Sequence, residues 1–286
     1  MTTDIYKNIT NQIIDQLEKG ITPWVKPWRA DSSADHNLVS KKAYSGINRL
    51  ILGMAGMASS TWATYKQISE AGGNVKKGEK GTHIVFFKPV VKNEVNAAGD
   101  AEKKSFAMVK SYCVFNLDQA ENMPAVAVAP TDIGGDFTPN ISVESRIIKT
   151  GATITHGGDV AFYMPSHDRI QLPNKNTFTS ESTYYATAFH ELTHWTSHKT
   201  RLDRDLSKGR FGNTDYAFEE LVAELGAAFL CADYSIDGDL RHAGYIKNWL
   251  KVLNDDKTAI FKAASLAQKA ADYINAVDAT VDALAA

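Results

Sequence analysis

The sequence predicts an α+β fold divided between two domains. Three observations predict it. β-rich runs are concentrated between residues 84 and 115, helical periodicity dominates from 182 to 276, and residues 123–140 (MPAVAVAPTDIGGDFTPN) hold three prolines, two adjacent glycines and no helical period. That stretch reads as a linker, giving a first domain over 1–124, a linker over 125–140 and a second domain over 141–286. With 44% hydrophobic and 22% charged residues in 286, the chain has enough apolar side chains to bury a sizeable core, which excludes disorder as its main state.

The elements follow in order. Ile5, Ile9, Ile13, Ile14 and Leu17 recur at near-helical spacing, and Gly20 stops the helix. Short helices are expected over 48–58 and over 61–71, the latter ended by Gly72 and Gly73. Residues 84–87, 106–109 and 112–115 read as strands of one sheet. The second domain opens with a helix over 142–150. Two strands follow, over 160–164 and 169–172, joined by a turn at Pro165 and Ser166. Helices are then expected over 182–197, 215–233, 239–252 and 258–276.

The net charge of -2 hides an asymmetry. Residues 1–124 carry 16 basic and 12 acidic side chains, whereas 125–286 carry 15 and 21. Over 41–88 the balance is 8 to 2, which invites an anionic partner. Cys113 and Cys231 stand too far apart to suggest a disulfide framework or a thiolate metal cluster. No apolar run approaches the length of a membrane span, and the first residues lack a signal-peptide core. The expectation is a cytoplasmic protein with no membrane partner.

The sharpest local signal is His190-Glu191-Leu192-Thr193-His194. On a helix, positions i and i+4 share a face, so two imidazoles can reach one cation about 2 Å away. Glu191 then stands beside the cation's open position, where it can act as general base toward a water. Zinc is the expected cation, with manganese as the alternative, because two histidines and a carboxylate accept either. A third ligand is sought in Glu219-Glu220-Leu221-Val222-Ala223-Glu224, whose carboxylates lie among apolar residues and would be costly to bury without a cation. Glu220 is chosen as the ligand and Glu224 as the group holding a histidine N–H, with Glu224 as ligand kept open. His198 and His242 are read as surface residues. Thr193, Trp195 and the strand over 169–172 are expected to line a cleft in which a peptide adds as a further strand.

The front half interleaves aromatic and basic residues. Trp24, Lys26, Trp28, Lys41, Arg49, Trp62, Tyr65, Lys66, Lys76, Lys77 and Lys80 form its candidate DNA-binding set. Aromatic faces stack unpaired bases and lysines neutralise phosphates, a combination that suits single-stranded nucleic acid better than duplex. The turn KKGEKG (76–81) can offer N–H and ammonium groups together, although it lacks the spacing of a Walker loop.

These residues resemble the ArdC antirestriction family. The front half carries YSGIN (44–48), WATYKQ (62–67), GGNVKKGEKGT (72–82) and YCVFNLDQ (112–119), as in the ArdC N-terminal domain that is also fused to plasmid TraC-type primases. The rear half carries YYAT (184–187), HELTHW (190–195), Arg201-Leu202, Phe211-Gly212 and the run 219–229. The resemblance implies an N-terminal α+β domain that binds single-stranded DNA and a C-terminal zincin-like metallopeptidase fold. It implies His190, His194 and Glu220 as metal ligands and Glu191 as the general base. The implied function is protection of incoming plasmid or phage DNA from host restriction during conjugation. The alternative is an active zinc metallopeptidase cleaving host or DNA-bound proteins; host restriction enzymes are then partners or substrates.

Overall fold

The computed structural model describes residues 4–24, 34–57, 59–95, 101–123, 139–204, 214–236 and 246–277. Helix α1 (Ile5–Glu18) starts where the Asp4 carboxylate accepts the Lys7 N–H, and its buried stripe is Ile9, Thr10, Ile13, Ile14 and Leu17. The chain leaves α1 through Gly20 at φ +74°, a left-handed conformation that suits glycine. Strand β1 (His36–Asn37) and helix α2 (Ile47–Met54) follow.

The helix expected over 61–71 is divided. Thr64 and Gln67 form a reciprocal cap, Gln67 N to Thr64 Oγ1 at 3.3 Å and Thr64 N to Gln67 Oε1 at 2.9 Å. The cap fixes the start of α3 (Tyr65–Glu70) and leaves β2 (Thr61–Ala63) free to enter a sheet. After β3 (Asn74–Val75), strand β4 (Thr82–Val95) pairs antiparallel along its whole length with β5 (Ala101–Asn116). The two short strands expected near 106–115 are one strand, because ladder pairing continues through the polar residues between them. The sheet order is β1-β2-β5-β4, and β6 (Ala120–Glu121) pairs separately with β3.

The second half opens with α4 (Ile141–Lys149), capped by Asn140. A three-stranded sheet contains β7 (Thr153–His156), β8 (Phe162–Met164) and β9 (Arg169–Leu172) in the order β7-β9-β8. Strand β7 is not foreseen in the sequence: its residues alternate polar and apolar over only four positions. Four helices follow, α5 (Glu181–Trp195), α6 (Thr214–Asp233), α7 (Ile246–Asp255) and α8 (Ala259–Ala276).

The two halves share one apolar core. Helix α1 packs on α7 and α2 on α8, so Ile13, Leu17, Leu50 and Ile51 lie in the same cluster as Leu221, Trp249, Leu253 and Ile260. Trp24 meets Trp249 edge-on at 5.3 Å, and Tyr6 meets Phe261 at 4.7 Å. A smaller cluster of Leu52, Trp62, Ile84 and Val114 lies under the front sheet. Among the described residues no helix is long and apolar enough to cross a membrane.

Candidate metal centre

Helices α5 and α6 build the site. Ser180 caps α5 by accepting the Thr183 N–H at 3.1 Å, and the helix then carries His190 and His194 one turn apart. Against it packs α6, which can come close because Gly226 faces Thr193: a Cβ there would lie 2.6 Å from the Thr193 methyl and hydroxyl. Thr193 is fully buried and donates to the Phe189 carbonyl at 2.8 Å, so it is fixed against the glycine.

This approach brings Glu220 of α6 to the two imidazoles. His190 Nε2 and His194 Nε2 are 3.2 Å apart, and each stands 3.5 Å from a Glu220 oxygen. Donors tetrahedrally arranged at about 2.1 Å from one cation are about 3.4 Å apart, so this set of two imidazoles and one carboxylate fits a single divalent ion. Glu224 stands behind His190, with Oε1 3.5 Å from Nδ1, which is the side facing away from Glu220. His190, Glu191, Glu220 and Glu224 are all buried.

A further carboxylate orients the other histidine. Glu219 Oε1 lies 3.3 Å from His194 Nδ1, and Arg204 Nη2 donates to the same oxygen at 2.9 Å. Arg204 also donates to the Thr193 carbonyl at 2.7 Å and to Thr196 Oγ1 at 2.8 Å, tying the end of α5 to α6. The Glu219 role is absent from the sequence reading, which used that residue only as part of an acidic run. Arg204 lies in a segment without periodicity, so nothing in the sequence singles it out.

The electrostatics follow from burial. Burial alone would lower the His194 pKa, but hydrogen bonds to Glu219 and Glu220 outweigh it and raise the value to about 10. Burial would raise the Glu219 and Glu220 carboxyls, yet His194 with Arg204 holds Glu219 below the usual carboxylate range, and His190 with His194 does the same for Glu220. The cluster thus demands positive charge, which a proton or a divalent cation can supply.

Several sequence candidates are corrected by the structure. Trp62 is fully buried, and its Nε1 donates to Asp35 at 2.9 Å, so its ring is core rather than a base platform. Trp24 is buried against Trp249. Arg49 turns away from solvent: Nη2 donates to the Phe229 carbonyl at 2.6 Å and to Asp233 at 2.7 Å, while the guanidinium lies over the Phe229 ring. It ties α2 to α6 and is spent there rather than on phosphate. Thr193 and Trp195 are buried too, and β9 is paired on both edges, so neither the residues nor that strand can receive a peptide. His198 bonds Thr200.

Lys41, Tyr65, Lys66, Lys76, Lys77 and Lys80 are exposed. Tyr65 meets Phe115 edge-on, Lys66 pairs with Glu70 at 3.5 Å, and Lys76 Nζ donates to the Asp118 carbonyl at 2.7 Å. The 76–81 turn is braced by Gln119, which donates to Glu79 and to the Lys80 carbonyl. Lys26, Trp28 and His242 lie outside the described residues, as does most of the expected linker.

Residues 3–115 match the N-terminal domain of anti-restriction factor ArdC, and residues 142–266 match a zincin-like metallopeptidase family. The chain is 39% identical to uncharacterized protein y4eC of Sinorhizobium fredii over 96% of its own length and 92% of that protein. It is 37% identical to the Escherichia coli DNA primase TraC, of which it spans about a quarter (27%). The metal-free crystal structure of antirestriction ArdC protein from R388 plasmid superposes with a TM-score of 0.81 at 39% identity, covering 96% of this chain and 97% of that one. The Mn(II)-bound structure of that protein gives 0.78 at 38%, covering 97% and 99%. This likeness runs through both halves, and the chain belongs to the ArdC antirestriction family, with an N-terminal ArdC domain and a zincin-like domain.

Proposed function

We propose that the chain is an antirestriction protein that binds single-stranded DNA through its front half and protects incoming plasmid or phage DNA from host restriction. The observation that carries the reading is the likeness to the R388 antirestriction protein over 96% of the chain, both halves included. Exposed Tyr65, Lys41, Lys66, Lys76, Lys77 and Lys80 support an anionic partner for the front half.

In the rear half, His190, His194 and Glu220 hold a divalent cation, zinc or manganese, while Glu219 and Glu224 orient the two imidazoles. A cation there supplies Lewis acidity for polarising a carbonyl. Glu191, following the first ligand on α5, is the proton acceptor of a hydrolytic reaction at a carboxylate oxygen. A second reading, an active metallopeptidase acting on proteins at DNA, is favoured by the burial of Glu191 within the histidine motif of α5.

The test is a restriction-protection assay that compares the natural chain with Glu191→Gln and with Lys76→Ala/Lys77→Ala. Loss of protection in the lysine variant alone supports strand binding as the protective act. Loss in Glu191→Gln with the cation retained supports hydrolysis. No protection by the natural chain sinks the antirestriction reading.

A further inference from the structure

The β4–β5 ribbon has two unlike faces. Side chains alternate along a strand, so the register places Ile84 and Tyr112, Phe86 and Lys110, and Lys88 and Met108 on one side. At its root this side is covered: Ile84 and Val114 pack with Leu52 and Trp62. One step further out the cover ends. Phe86 is 48% exposed, Tyr112 46% and Met108 43%, with Lys88 and Lys110 exposed beside them. Phe86 and Tyr112 meet edge-to-face at 5.2 Å and 89°, which holds both rings in place without covering them. On the other face Phe87, 46% exposed, has its ring near Tyr6 and Phe261, at 6.5 and 6.4 Å between centroids.

We propose that this outer face is a stacking platform for single-stranded DNA, with Phe86 and Tyr112 taking bases and Lys88 and Lys110 neutralising the neighbouring phosphates. The proposal rests on the single-strand reading above and names the surface that serves it. Charge chooses the occupant. Over residues 82–88 and 108–114 this face carries two lysines and no carboxylate, so an apolar partner or a second copy seated there would bury both ammonium groups unpaired, at considerable cost. A single strand brings a phosphate beside every unpaired base, matching lysines that alternate with rings. A duplex offers phosphates too, but its bases are already stacked.

The test is fluorescence anisotropy of a labelled twenty-residue oligothymidylate with the full chain, across a salt series. Phe86→Ala/Tyr112→Ala should weaken binding by about thirtyfold or more. Lys88→Ala/Lys110→Ala should lower the slope of log affinity against log salt by about 1.4. Salt-sensitive binding by the natural chain that both variants retain in full overturns the platform and leaves the single-strand reading standing. No binding by the natural chain at the lowest salt overturns both. Photo-crosslinking of an iododeoxyuridine oligonucleotide to the unaltered chain removes any dependence on variant folding: adducts at Phe86 or Tyr112 support the platform, and adducts confined to other residues such as Tyr65 overturn it.

Discussion

The candidate metal centre depends on residues that touch no open position. Among the described residues Glu219 bonds His194 Nδ1 and Arg204, and it fixes which way the imidazole turns. Glu219→Gln keeps the shape and removes the charge, so affinity for zinc or manganese should fall by about 10- to 100-fold, read by competition with a chromogenic chelator. Unchanged affinity would mean that the helix alone orients His194. The identities of His190, Glu191 and His194 are legible in the sequence because their spacing on one helix is local. The Glu219–His194 pair is not, since it joins residues 25 positions apart on separate helices.

Two features at the scale of elements control how the helices meet. Gly226 lets α6 lie against Thr193 of α5. Gly226→Ala would gain about 1 kcal/mol of helix propensity. Forcing a methyl to 2.6 Å from a side chain that is fully buried costs about 1–3 kcal/mol. The expected result is a lowered Tm together with weaker metal binding, because Glu220 rides on the displaced helix. A rise in Tm would show that Thr193 yields easily. At the other end of the bundle, Asp256 accepts from Thr258 N at 2.8 Å and from Lys262 Nζ at 2.9 Å at the start of α8. The Lys262 and Thr258 hydrogen bonds hold its carboxyl at about 2, below its ordinary 3.8. Its contribution is therefore complete above pH 3.8 and is lost as pH falls through about 2. Because the Asp256 side chain is 46% exposed and its pair with Lys262 is screened by water, Asp256→Asn should cost no more than about 1 kcal/mol near neutral pH, and its Tm deficit should shrink as pH falls from 3.8 toward about 2. A deficit independent of pH would mean that shape rather than charge holds the turn.

Across the whole molecule, the front half and the rear half are one packed body. Arg49 joins them, with its guanidinium on Asp233, the Phe229 carbonyl and the Phe229 ring. Arg49→Met should destabilise the full chain by about 1–3 kcal/mol in denaturant unfolding, since the carbonyl loses its donor while Asp233 keeps Asn275. It should leave the affinity for single-stranded DNA at its natural value if the residue is structural, and a drop in affinity with unchanged stability would return Arg49 to the DNA-binding set.

The sequence by itself determined what depends on near neighbours. The α1 stripe and the histidine helix arise from residues within a turn or two of each other, and the charge asymmetry is a count along the chain. Tertiary structure alone decided which aromatic and basic residues face water. Trp62, Trp24 and Arg49 share their composition with Tyr65 and Lys66, yet the first three are consumed by the core and by the junction between halves, whereas the last two are left outside. Burial is set by what packs from across the chain, and a local pattern of rings and charges carries no record of that.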